Sequence, residues 1–217
     1  PAYCTASSTH QGRSMTHILL IQSSSNLASS VSRDLAETYV KDYKAAHPDA
    51  TVTERDLVSS PIPHLGVDLL GGMFGKPEAL NEAQKAALAL SDTLVDEMMA
   101  ASIIVIGVPM YNFSIPSALK AWIDHVIRSG RTFHYTADGP SGLVTGKKAV
   151  LFLAAGGVYS DGPYKPYDFQ ETYLRAILGF IGITDVTVVR AEGLAMGPES
   201  ATKAVADARA KTAALAL

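Results

Sequence analysis

From Met15 onward, short runs rich in β-branched and apolar residues alternate with longer stretches of helical composition, and this alternation constrains the fold more than any other feature. The runs are His17–Gln22, Thr51–Asp56, Ile103–Pro109, Ala149–Ala154 and Val186–Ala191, and their composition and length predict strands. Val31–Ala46, Glu82–Ala100, Ser117–Ile127, Tyr167–Phe180 and Glu199–Leu215 hold few interior breakers and predict helices. Ile103-Ile104-Val105-Ile106 and Val150-Leu151-Phe152-Leu153 are apolar on both faces, as parallel strands covered by helices on each side must be. Right-handed crossovers then lead to an α/β architecture, a doubly wound five-stranded parallel sheet of expected order 2-1-3-4-5, with ligands gathering at the strand C-terminal ends. At 217 residues and 47% hydrophobic content the chain can bury one such core, expected as a single domain over residues 15–217.

Several function classes are disfavoured by the same sequence. Net charge of −3 gives no broad positive field for a phosphate backbone, so nucleic acid is not an expected partner. The longest apolar stretches fall far short of the roughly 20 residues that cross a bilayer, which points to a soluble protein with no membrane partner. Cys4 is the only cysteine, so it has no internal disulfide partner, and no His/Cys set has zinc-ligand spacing. A reducing, cytoplasmic setting without a metal is the expectation. Residues 1–14 are polar and lack an apolar signal core, and they read as a leader or cloning remnant outside the fold. Leu57–Leu80, punctuated by Pro61, Pro63, Gly66, Gly71, Gly72 and Gly75, is too long for an ordinary αβ connection. It reads as a cover over a site, a subunit interface or a surface excursion.

Three loops at strand C-terminal ends carry the chemistry. After the first strand, Gln22 to Ser32 is serine-rich and leads into the first helix. Hydroxyls of Ser24, Ser30 and Ser32, backbone N–H groups and the positive end of the helix dipole can surround a phosphate without a lysine. No G-x-G-x-x-G follows that strand, which favours a mononucleotide over a permanently held dinucleotide. After the third strand, Met110, Tyr111, Asn112 and Phe113 form an unusually aromatic, amide-bearing loop. Met110 and Phe113 suit packing against a flat heterocycle, Tyr111 its edge, and Asn112 its nitrogens or carbonyl oxygens. After the fourth strand, Ala154-Ala155-Gly156-Gly157 permits close backbone approach to a ring edge. Taken singly, each loop also has a structural reading, as caps, loop anchors or a glycine turn; three at one sheet edge favour a ligand.

Competing motifs fail on spacing. Gly142-Leu143-Val144-Thr145-Gly146-Lys147-Lys148 is one residue short of a P-loop and precedes a strand. Asp124 and His125 are adjacent on a helix and point apart, and no nucleophile elbow occurs, which argues against a Ser-His-Asp hydrolase.

Pro109–Leu119, Phe133-His134-Tyr135, Gly142–Lys148, Gly156-Gly157, Leu178-Gly179-Phe180-Ile181-Gly182-Ile183, Ala191-Glu192-Gly193 and Gly197-Pro198-Glu199 together resemble the FMN-dependent NADH azoreductases and NADH:quinone oxidoreductases. The resemblance implies a flavodoxin-like homodimer with its active site near the interface, noncovalent FMN, NADH or NADPH as donor, and a quinone or azo compound as acceptor. It implies ping-pong exchange through the flavin, with no side chain as catalytic nucleophile. By position it assigns the phosphate to Ser24, Ser30, Val31 and Ser32, the ring system to Met110, Tyr111, Asn112 and Phe113, and the ring's polar edge to Ala154, Ala155, Gly156 and Gly157. Phe133 and Tyr159 are assigned to substrate binding. Relatives often carry polar side chains where this chain has Val31 and Ala154-Ala155, so contacts there fall to the backbone. A flavodoxin-type single-electron carrier for a protein partner is the alternative on the same loops. A phosphate-responsive receiver module lacks the paired acids it would need after the first strand.

Overall fold

The structure is a computed structural model that describes residues 15–216; the leader expected over residues 1–14, with Cys4, lies outside the described residues. Five parallel strands, β1 (His17–Gln22), β2 (Thr51–Asp56), β3 (Ile103–Pro109), β6 (Lys148–Ala154) and β7 (Asp185–Ala191), form one sheet in the order β2-β1-β3-β6-β7. This is the doubly wound order expected from the sequence. A separate antiparallel hairpin of β4 (Phe133–Thr136) and β5 (Gly139–Gly142) stands apart from it. The helices are α1 (Val31–Ala46), α2 (Val67–Phe74), α3 (Glu82–Ala100), α4 (Ser117–Val126), α5 (Glu171–Phe180) and α6 (Pro198–Leu215).

Strand alternation divides the core into two layers. Leu19, Ile21, Ile104, Ile106, Leu151 and Leu153 face α3, α4 and α5 through Leu94, Met98, Trp122 and Leu174. Ile18, Leu20, Val105, Val150 and Phe152 face α1 and α6 through Leu35, Ala36, Tyr39 and Ala208. Burial, followed by the neighbouring Tyr43, pushes the Tyr39 phenol up to about 12, so it stays neutral and packs on Phe152 with ring centroids 5.7 Å apart.

The strand register brings the C-terminal ends level. Gln22 pairs with Asp56 and Gly107, Pro109 with Ala154, and Ala154 with Ala191. All three loops singled out above therefore leave the sheet at one edge.

Three local features depart from the sequence expectation. The Leu57–Leu80 excursion contains α2 and a 3-10 turn at Pro77–Ala79. Gly71 and Gly72 lower helix propensity, but an added Cβ at Gly72 would lie 3.0 Å from the Gln84 carbonyl oxygen and 3.2 Å from Leu88, so the glycines let α2 approach α3. The β4–β5 hairpin turns at Ala137-Asp138, and Gly139, the first residue of β5, has φ of 114°. Helix α5 begins at Glu171 instead of Tyr167, because Asp168 accepts hydrogen bonds from the amides of Gln170 and Glu171 and fixes the start there.

Candidate functional site

Asn26 shapes the loop between β1 and α1. Its Oδ1 accepts from the amides of Ala28 at 3.2 Å and Ser29 at 3.0 Å, so the chain folds back on itself before the helix starts. Ser30 is the α1 N-cap and its Oγ accepts from the Arg33 amide. That cap leaves the first-turn amides of Val31 and Ser32 without an intrahelical acceptor, as at any helix N-terminus. Ser24 and Ser32 are buried beneath the loop; the Ser32 hydroxyl lies 3.2 Å from that of Ser30. Ser30 and Val31 are half-exposed.

Arg33 anchors this loop. Its Nε and Nη2 both donate to the Ser24 carbonyl, at 3.1 and 2.9 Å, while Nη1 and Nη2 grip the Asp56 carboxylate at 3.1 and 2.7 Å. Burial alone would raise the Asp56 carboxyl, but the Arg33 guanidinium, the Ser59 hydroxyl and the amides of Val58 and Ser59 outweigh it and hold the group well below the usual carboxylate range. Nothing in the local sequence marks Arg33 or Asp56 as partners, since 23 residues separate them.

The second loop is a tight turn closed by reciprocal bonds, Tyr111 N–H to the Ser114 carbonyl at 2.9 Å and Ser114 N–H to the Tyr111 carbonyl at 3.1 Å. Asn112 and Phe113 occupy its centre with φ of 49° and 68°, the only described non-glycine residues in the left-handed region. Asparagine tolerates that conformation; phenylalanine in it costs about 1–3 kcal/mol and persists only where the surroundings fix it. Tyr111, Asn112 and Phe113 are exposed and Met110 is half-buried.

In the third loop Ala154 and Ala155 are buried and spend their backbone on support. The Ala154 carbonyl accepts from the Met110 amide at 2.7 Å, and the Ala155 amide donates to the Ala191 carbonyl at 3.0 Å. The amides of Gly156 and Gly157 donate to no described residue. Neither glycine has a positive φ, so space explains them better than backbone conformation. An added Cβ at Gly157 would lie 3.2 Å from the Tyr159 ring, and one at Gly156 would lie 3.2 Å from Ala195.

The loops are stitched to one another. Tyr111 Oη accepts from the Ser25 amide at 3.2 Å and lies 3.5 Å from the Ser24 Oγ, joining the first loop to the second, and the Met110–Ala154 bond joins the second to the third. A cleft of about 680 Å³ opens beside Phe113 and Gly157, lined further by Tyr159, Tyr164 and Met196. Tyr159 thus joins the site. Phe133 does not: the hairpin follows α4 and precedes β6, on the N-terminal side of the sheet, and Phe133 is buried against Phe180 with centroids 4.7 Å apart.

Free first-turn amides at an N-terminus, a flat aromatic turn and two unobstructed glycine amides on one sheet edge form a cradle that fits a phosphate at one end and a planar heterocycle at the other. Fold and site together define a doubly wound mononucleotide-binding protein. The flavodoxin-like fold family matches residues 16–216. An FMN-dependent NADH:quinone oxidoreductase of Herminiimonas arsenicoxydans is 53% identical over 192 residues, 88% of this chain and 94% of that protein. A Bacillus anthracis azoreductase structure superposes with a TM-score of 0.87 at 35% identity, covering 93% of this chain and 99% of that one. An FMN-dependent NADH-azoreductase of the same species, solved in complex with FMN, gives a TM-score of 0.84 at 26% identity, covering 94% of this chain and all of that one. The chain belongs to the flavodoxin-like fold family and, within it, to the FMN-dependent NADH:quinone oxidoreductases. These relatives support the reductase expectation and give none to the single-electron carrier.

Proposed function

We propose that the chain is an FMN-dependent NADH:quinone oxidoreductase that also reduces azo compounds. The observation that carries this reading is the stitching of the three loops by Tyr111 and Met110, which ties a phosphate-suited helix N-terminus to an aromatic turn and a glycine edge. FMN, when bound, supplies two-electron chemistry between the nicotinamide and the acceptor. The chain's own residues bind and orient. Ser24, Ser30, Val31 and Ser32 hold the phosphate, with the free amides of α1 and the helix dipole supplying charge compensation. Met110, Tyr111, Asn112 and Phe113 flank the ring, and the amides of Gly156 and Gly157 meet the edge where negative charge builds on reduction. Ala154 and Ala155 support that edge from behind. Donor and acceptor use the same open face in turn, so kinetics should be ping-pong.

A homodimer completes the acceptor site. Phe133 can reach an acceptor only if a second copy brings its hairpin to the flavin face, and α2 leaves Val67 and Phe74 about as exposed as any large apolar side chains among the described residues. The unit that acts spans residues 15–217. No helix among the described residues is long and apolar enough to cross a membrane, and a lone cysteine suits a reducing cytoplasm.

Anaerobic titration of FMN-loaded protein with NADH, followed by a simple quinone, tests the function. Stoichiometric bleaching of the flavin band and its recovery are expected. Tight FMN binding without bleaching by NADH would overturn the reading.

A further inference from the structure

Residues 158–168 carry three tyrosines between the glycine edge and α5, and both ends of this segment converge on one guanidinium. Arg190, on β7, bonds Glu171, bonds Asp168 at 2.7 Å, and bonds Glu192 at 3.3 Å. Glu192 in turn accepts from the amides of Tyr159 at 2.9 Å and Ser160 at 3.0 Å, and from the Ser160 hydroxyl, fastening the start of the segment. Asp168 fastens its end by accepting from the amides of Gln170 and Glu171 at the start of α5, and the next amide, Phe169 N–H, donates to the Phe113 carbonyl at 3.1 Å. Burial works against charge on Arg190, but the Asp168 hydrogen bond and the charges of Glu171, Asp168 and Glu192 outweigh it, so the guanidinium holds its proton more firmly than a free one. Arg190 is therefore charged across the working pH range.

The clamped segment presents its rings to the strained turn. Phe113 packs edge-on to Tyr159 at 6.0 Å and against Tyr167 at 5.4 Å, and Tyr164 closes the group at 6.5 Å from both tyrosines. The 680 Å³ cleft in front of these rings has one carboxylate, Asp161, and no basic side chain in its lining. A one-ring quinone would cover a fraction of this aromatic surface, and a sulfonated dye would meet Asp161 without a compensating cation.

Resting on the reductase reading above, we propose that residues 158–168 form an aromatic wall, clamped at both ends by Arg190, that selects uncharged fused-ring acceptors over one-ring and anionic ones. Arg190 is a positioning residue; the rings make the contact.

The test compares kcat/KM for 2-methyl-1,4-naphthoquinone, 1,4-benzoquinone and the anionic 1,2-naphthoquinone-4-sulfonate in FMN-loaded wild type, Arg190→Gln and Tyr164→Ala. Tyr164 is largely exposed, so its variant keeps the test sound if loss of the clamp impairs folding. The naphthoquinone-to-benzoquinone ratio should fall about tenfold in either variant, through KM, which is the size of one or two aromatic contacts. FMN affinity should stay unchanged in Tyr164→Ala. A wild-type enzyme that prefers a sulfonated acceptor, or a ratio that stays constant across both variants, overturns the wall. Calorimetric binding of the naphthoquinone to FMN-loaded protein without NADH separates the two readings. Binding that the variants weaken, in a protein that reduces no quinone, would remove the reductase reading and leave the wall standing.

Discussion

Asn112 and Phe113 show how a single residue's backbone reports on its use. A turn of this shape is built most cheaply from glycine, yet the chain places an amide and a phenyl ring at its centre. If Asn112 were there only for the turn, Asn112→Gly would be silent. We expect it to leave the melting temperature of the FMN-free protein unchanged or raised, and to weaken FMN binding by about tenfold, the worth of one well-made hydrogen bond. Fluorescence titration of FMN beside thermal unfolding reads both; unchanged affinity would return Asn112 to the turn alone. Asp56 makes a pH-dependent contribution at the same scale. Its carboxyl is depressed in the folded state by Arg33, so the stabilisation is present above the unfolded value of about 3.9 and is lost as pH falls through the folded value. Wild type should therefore lose melting temperature steeply below about pH 4, and Asp56→Asn should be less stable near neutrality with a shallower acid slope. Parallel acid slopes would mean that Arg33 and Asp56 do not control this window.

At the scale of elements, the close approach of α1 to β3 decides where the loop between β1 and α1, proposed above to hold the phosphate, sits. A Cβ at Gly107 would lie 2.5 Å from Gln22 Oε1 and 2.9 Å from the Ser32 carbonyl oxygen, and the second of these is backbone. Gly107→Ala should push the α1 N-terminus outward, costing about 1–3 kcal/mol of stability and weakening FMN binding with it. Denaturant unfolding and FMN titration of one preparation should show both losses; stability lost with full affinity would detach the loop from this contact. The strands, α1, α3 and the three loops were legible because two-sided apolar runs such as Ile103–Ile106 admit few other structures, and because parallel topology forces their following loops to one edge. Helix α2 was not, since Gly71 and Gly72 weaken its local signal and its stability comes from packing on α3. The hairpin was hidden by Gly139, Pro140 and Gly142, which read as punctuation instead of a strand. Arg33 with Asp56, and Arg190 with Asp168, had no sequence signature, because only the folded chain brings the first turn of α1 to the end of β2 and the loop before α5 to β7.

For the whole molecule, the acceptor role proposed for Phe133 requires a second copy of the chain. The three loops proposed to hold the cofactor are at the C-terminal edge, and Phe133 sits on the other side, buried against Phe180. Side-by-side two-fold pairing would bring one copy's hairpin to the other's flavin face, and the exposed Val67 and Phe74 of α2, at 82% and 80%, offer an apolar contact for it. Val67→Glu with Phe74→Glu should yield a monomer by sedimentation that retains FMN but reduces quinones poorly; a wild-type monomer with full turnover would exclude the pairing. Complementation asks the sharper question of whether Phe133 acts across the interface. Gly157→Val drives a side chain into the Tyr159 ring at the cofactor edge, while Phe133→Ala leaves that edge intact. In a mixed dimer one site would combine an intact cradle from the Phe133→Ala chain with an intact Phe133 from the Gly157→Val chain. Unfolding and refolding the two variants together should therefore restore quinone reduction above either variant alone. If Phe133 served its own chain, each site in the mixed dimer would still carry one defect, and mixing would restore nothing.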